Sequence, residues 1–212
     1  MTARARPAKE AAVRTYGDET RELILKAAQK LFATRGLHET SMQNIADEAQ
    51  VSRATVFNQF GSKQLVLDAI TARSLVAYRD LLAAALADEQ QPTPDLIRML
   101  FKQMSAGLEK HRALYREVFT EIRKLSMGLD QGGLSPRLRE EAFGMMVRLL
   151  KRGQARGDVT RKYPPDVLAT AFDSLLSGAV IQWLHDPKKG ALSPLLSSLL
   201  DVLLNGAAAS RR

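Results

Sequence analysis

Between Ser41 and Lys63 the chain reads Ser-Met-Gln-Asn-Ile-Ala-Asp-Glu-Ala-Gln-Val-Ser-Arg-Ala-Thr-Val-Phe-Asn-Gln-Phe-Gly-Ser-Lys. Its second half collects side chains that can read the edge of a base. Arg53 can fork onto guanine O6 and N7, and Asn58 or Gln59 can pair with adenine N6 and N7. Thr55 can donate to a phosphate or meet a thymine methyl, and Lys63 can neutralise a phosphate near the positive end of the helix it begins. A helix that enters the major groove needs first turns without bulky apolar residues on one face. Arg53, Ala54, Thr55, Asn58 and Gln59 meet that need, while Val56 and Phe60 point the other way. Any short polar surface helix could carry some of these residues. Two serine caps, a tight corner and the Phe60-Gly61-Ser62-Lys63 exit together favour DNA readout.

Those residues must be positioned by short helices. Ser41 caps a helix over 42–49 that buries Ile45, Ala46 and Ala49; Ser52 caps a recognition helix over 53–59 that buries Val56 and Phe60. Before them, Ile24, Ala27, Ala28, Leu31 and Phe32 form one apolar stripe at helical spacing. Asp18 or Thr20 is placed to cap that helix, and Gly36 to end it in a left-handed turn. Residues 1–17, rich in Ala, Arg and Lys, are expected to be a flexible basic arm. Residues 18–64 then form a three-helix helix-turn-helix domain and residues 65–212 a regulatory domain. Ser62 caps a long helix through about Asp88 that joins the two, with Leu65, Ala69, Leu75 and Leu82 inward. Pro- and Gly-containing breaks at 91–94, 127–128, 131–133, 163–165 and 186–190 delimit further helices at about 95–109, 112–126, 135–156, 165–185 and 191–205. The fold class is all-α, with about nine helices and neither strand patterns nor internal repeats.

Hydrophobic residues make up 45% of the 212 and charged residues 25%, enough apolar material for a packed core. The formal net charge of +8 suits a polyanionic partner. Ten Lys/Arg stand against seven Asp/Glu through Lys63, so most of the excess lies further along, and position must carry the argument. The absence of cysteine excludes disulfides and thiolate chemistry and suits a reducing cytoplasm. The N-terminus lacks the apolar centre of a secretory signal, and no uninterrupted apolar stretch approaches a membrane span. His38, His111 and His185 form no ligand pair at helical spacing, and Asp88-Glu89 and Glu140-Glu141 are adjacent and diverge on a helix. No phosphate loop, nucleophile elbow or acid pair with supporting context occurs, so neither enzyme chemistry nor a cofactor is expected.

Residues 20–70 resemble the DNA-binding domain of the TetR family of transcriptional regulators. The resemblance rests on Leu31-Phe32 and Gly36, on Ile45-Ala46-Asp47-Glu48-Ala49, and on Val51 through Phe57 followed by Phe60-Gly61-Ser62-Lys63. It implies that Ser41 caps the second helix against a phosphate, that Gln43 sits at the groove edge, and that Arg53, Ala54, Thr55, Asn58 and Gln59 face bases or backbone. Lys63 would hold phosphate. Two positions depart from the family pattern. Gln50 stands where a turn glycine is usual, and Phe57 where a tyrosine is usual, so Phe57 would touch sugar or a thymine methyl instead of donating to phosphate.

The resemblance further implies a homodimer, paired through 165–185 and 191–205 into a four-helix bundle, on a near-palindromic double-stranded operator. It also implies a small effector bound inside the regulatory domain. Both terminal helices carry more apolar surface than one face requires, as helices with a core side and a partner side would; two central helices of a monomer would look the same. Phe101, Met104, Leu108, Tyr115, Phe119, Met127, Phe143, Met146 and Phe172 suit a wall around a lipophilic ligand, and equally suit plain core. Tyr115 and Trp183 could each orient a ligand by one hydrogen bond. The reading is a ligand-responsive, sequence-specific regulator, a repressor released by a lipophilic molecule. The alternatives are a protein-interaction adaptor with a weakened DNA motif, and a helical carrier or enzyme.

Overall fold

The computed structural model describes residues 6–126, 135–186 and 190–207. Among them run nine helices: α1 (Arg6–Arg35), α2 (Met42–Ala49), α3 (Arg53–Phe60), α4 (Lys63–Ala87), α5 (Thr93–Lys110), α6 (Arg112–Ser126), α7 (Ser135–Arg156), α8 (Pro165–His185) and α9 (Leu192–Ala207). They divide into two compact units, Met1–Ile70 and Thr71–Arg212, and α4 crosses the division. The breaks expected at 127–128 and 131–133, the residues Pro187 to Lys189, and Met127 as a cavity wall lie outside the described residues.

In the first unit, Ile24, Ala28 and Phe32 of α1, Ile45 and Ala46 of α2, and Val56 and Phe60 of α3 are buried, as their spacing requires. The expected start of α1 needs correction. The helix begins at Arg6, so 6–17 belongs to it and Asp18 and Thr20 lie inside rather than at a cap. Ala, Lys, Glu and Arg are strong helix formers, Pro7 sits in the first turn where its missing N–H breaks no helical bond, and one interior glycine, Gly17, is affordable. The far end is as expected: Gly36 adopts φ 82° and donates to Phe32 O. Thr40, buried, closes the following loop by donating from its hydroxyl to Gly36 O at 2.8 Å.

The inward face of α4 also differs from expectation. Leu75 and Leu82 are buried, but Leu65 is 54% exposed and Ala69 half-buried; Val66, Leu67 and Ile70 take the interior instead. The run Leu-Val-Leu is apolar on every side, so periodicity does not choose a face there.

In the second unit, α5 packs on α7 and α9, and α8 on α6, α7 and α9. Their shared core includes Leu96, Ile97, Phe101, Leu149, Phe172, Val180 and Leu200. The loop before α8 serves α5: Asp158 accepts from the Thr93 backbone N–H at 2.8 Å, replacing the side-chain cap that Pro92 cannot supply. Arg152 donates to the Ala85 and Leu86 carbonyls that end α4. Arg112 donates to the Trp183 and Asp186 carbonyls at the end of α8 and lies over the Trp183 ring, 4.3 Å from its centroid. By length and composition α8 is apolar enough to cross a membrane, which the expectation from uninterrupted stretches missed. Packing accounts for part of its apolarity: Leu168, Phe172, Leu176, Val180 and Trp183 are buried, while Val167 is exposed.

Candidate functional site

The α2–α3 corner is built by local hydrogen bonds. At the start of α2, Ser41 Oγ accepts from Asn44 N at 3.1 Å, while Asn44 Oδ1 accepts from Ser41 N at 2.9 Å, a reciprocal capping box. At its end Gln50 adopts φ 56°, ψ 40°, the one positive φ at a non-glycine among the described residues. Gln50 N donates to Asp47 O and Val51 N to Ala46 O, the paired bonds of a Schellman turn. Ser52 then caps α3, its Oγ accepting from Thr55 N at 3.0 Å. The corner thus has the geometry a turn glycine would give, made with a glutamine.

On α3, Arg53, Ala54, Phe57 and Asn58 are exposed, Thr55 and Gln59 half-buried, and Val56 and Phe60 buried. One side of the helix therefore carries the base-reading candidates together. Ser41 and Gln43 are exposed at the start of α2, where Gln43 Nε2 donates to Asp47 Oδ1 at 2.7 Å. Thr55 Oγ1 is 2.8 Å from Ser52 Oγ, so its hydroxyl is partly engaged in the cap. Lys63 has a task that sequence reasoning did not assign: its ammonium donates to Leu37 O at 2.5 Å and His38 O at 3.3 Å, tying the loop after α1 to the start of α4. Arg21 was also missed. It donates to Gln59 O at 3.1 Å and lies over the Phe60 ring at 4.1 Å, fixing the C-terminal end of α3. Only a cation facing a helix end by spacing could have suggested it. The Arg53 guanidinium sits 5.2 Å from the centroid of Phe57, one turn along, so the phenyl ring holds the leading arginine of the helix.

The second unit contains a cavity of about 210 Å³. Of the effector candidates, Met104, Leu108, Tyr115, Phe119, Phe143 and Met146 line it. Phe101 and Phe172 do not. They are fully buried against each other, ring centroids 6.3 Å apart and edge to face, and belong to the core between α5 and α8. Trp183 is not a wall residue either: its Nε1 donates to Gly190 O at 2.8 Å. The cavity also uses residues that the sequence did not suggest. Leu75, Tyr78 and Leu81 come from α4, and Arg139 of α7 and Asp173 of α8 meet on its wall, Nη2 to Oδ2 at 2.8 Å. Burial, and then the Asp173 carboxylate, push the Tyr78 phenol well above its ordinary pKa, with Arg139 opposing, so Tyr78 stays protonated.

Residues 24–70 match the model of bacterial regulatory proteins of the tetR family. The chain is 26% identical over 178 residues to the HTH-type transcriptional repressor BepR of Brucella suis, covering 80% of this chain and 83% of that protein. These matches support a TetR-family regulator. Solved TetR-family structures share the fold. The Thermus thermophilus repressor FadR, crystallised with lauroyl-CoA, superposes with a TM-score of 0.66 at 25% identity, covering 91% of this chain and 97% of that one. SmeT, repressor of the Stenotrophomonas maltophilia multidrug efflux pump SmeDEF, gives 0.72 at 23% identity, covering 90% and 91%. Neither departure from the family pattern, Gln50 or Phe57, disturbs the capped helix-turn-helix of this chain.

Proposed function

We infer that the protein is a ligand-responsive, sequence-specific DNA-binding transcriptional repressor, acting in the cytoplasm as a homodimer on a near-palindromic operator. The observation that carries this is α3: a doubly supported helix, capped by Ser52 and held by Arg21, with Arg53 and Asn58 exposed and Gln59 half-buried. Two copies would enter successive major grooves about 34–36 Å apart. Arg53, Asn58 and Gln59 would contact base edges. Ser41, Gln43, Thr55 and the remaining N–H of Lys63 would contact the backbone.

Pairing through α8 and α9 is supported by what their packing leaves over. Leu192, Leu196, Leu200 and Leu204 are buried, while Val167 and Val202 are exposed and Leu195, Leu199 and Leu203 half-buried. The cavity supports a lipophilic effector, in keeping with the acyl-CoA bound by the FadR relative. Such a molecule releases DNA only to the extent that it binds the DNA-incompetent state more tightly.

Arg53→Ala titrated on the DNA upstream of its own coding sequence tests the reading. We expect loss of sequence preference, about 1–3 kcal/mol per specific contact, with oligomeric state and nonspecific binding retained. Unchanged preference removes Arg53 from readout. Failure of the unaltered protein to shift any promoter fragment, with a stable complex formed by another protein, would establish the adaptor reading instead.

A further inference from the structure

The polar end of the cavity specifies the charge of what it takes, an inference that rests on reading the cavity as the effector site. Among the described residues lining it, Arg139 and Asp173 alone are charged, and they are spent on each other at 2.8 Å. The rest of the wall is apolar apart from neutral hydroxyls and an amide, with Tyr78 beside the pair. An entering carboxylate would have to bond Arg139 beside the Asp173 carboxylate and be repelled by it. An ammonium would meet the same conflict with Arg139. A neutral head meets neither, because the guanidinium has five N–H donors and Asp173 accepts from one of them, at Nη2, leaving others to bond a hydroxyl or carbonyl oxygen. Tyr78, held protonated, adds a further neutral donor.

We propose that the effector is an uncharged amphiphile whose apolar body fills the cavity and whose hydroxyl, carbonyl or amide group bonds at the Tyr78–Arg139–Asp173 cluster. The ion pair on the cavity wall, with Arg139 25% and Asp173 42% exposed, works as a charge filter. It neutralises its own ends and therefore rejects free acids and amines of the same shape.

The test uses 1-decanol, decanoate and decylamine at pH 7, which share one apolar body and differ in head charge. Calorimetric binding and thermal shift of the full chain are read without DNA, so the result does not depend on the operator or on Arg53. We expect decanol to bind at least about tenfold more tightly than either charged probe, the equivalent of one charge conflict of about 1.4 kcal/mol. Asp173→Asn leaves Arg139 uncompensated, and decanoate should then overtake decanol. In the double variant Arg139→Gln/Asp173→Asn, which has no unpaired charge, decanol should again lead. That pair of variants separates charge from folding, because both lose the ion pair and only one changes the charge of the wall. Decanoate or decylamine binding the unaltered protein as well as decanol, an unchanged order in Asp173→Asn, or no binding by any probe would each overturn the proposal.

Discussion

Gln50 offers a direct test of how the reading corner is made. It is the left-handed residue of the Schellman turn between α2 and α3, at φ 56° and ψ 40°, and its side chain is exposed. In an L-residue that conformation crowds Cβ against the following carbonyl, at a cost of roughly 1–2 kcal/mol that glycine does not bear. Glycine in turn frees the unfolded chain, which offsets about 0.4–1 kcal/mol of the gain. No packing is lost with an exposed side chain, and both turn bonds come from backbone N–H groups that the substitution keeps. Gln50→Gly should therefore stabilise by about 0.8 kcal/mol at the centre of those ranges and by about 1.6 kcal/mol at most, a central rise in Tm of roughly 2–3 °C for a chain of this size. Gln50→Ala is the control. It removes the side chain but keeps Cβ, so it should show no such rise, and Gln50→Asn should fall between because asparagine tolerates this region better. Thermal unfolding by circular dichroism at one protein concentration decides it. If Gln50→Gly melts at or below the unaltered protein, or Gln50→Ala matches it, the left-handed strain is not there. Operator binding by Gln50→Gly should be unchanged, since the turn keeps its dihedrals.

Two further substitutions probe other contacts. A Cβ at Gly153 would lie 2.5 Å from Val159 Cγ2 and 2.8 Å from both Asp158 Oδ1 and Thr93 Oγ1, so Gly153→Ala should lower stability by about 1–3 kcal/mol, read as a reduced urea midpoint with an unchanged slope. Phe57→Leu removes the ring that holds Arg53 and should reduce guanine preference at one operator position about two- to fivefold, the equivalent of roughly 0.5–1 kcal/mol. Phe57→Tyr should restore that preference, and neither change should alter the salt dependence of binding. An equal loss for every sequence would instead make Phe57 a backbone contact.

What could be read in advance divides by how local its cause is. Pro164-Pro165 before α8, Ser41 and Ser52 before the short helices, and Gly36 after α1 act within a turn of where they stand, and the helix limits at 35, 42, 53 and 165 fall where those signals lie. Where punctuation was absent the reading slipped. Nothing before Arg6 or at Gly17 stops a helix of good formers, and Leu65 could not be told from Val66 inside a run that is apolar all round.

The cavity is the opposite case, because its walls are assigned by distance across the bundle. Phe119 and Phe172 are both aromatic residues on apolar helix faces, yet Phe119 borders the cavity and Phe172 fills the core against Phe101. Periodicity says which side of a helix turns inward, and both of these do; it does not say whether the neighbour opposite leaves a gap. The Arg139–Asp173 pair makes the same point with more consequence. Its members lie on α7 and α8 at a spacing that follows no helical repeat, and each alone resembles a solvated charge. Only their closure to 2.8 Å on a largely apolar wall turns two surface-like residues into a statement about ligand charge. The residues that identify a DNA reader are therefore legible along one short stretch. Those proposed to select its ligand become legible only when α4, α7 and α8 are brought together, so on this proposal two proteins with the same recognition motif can answer to molecules of different charge.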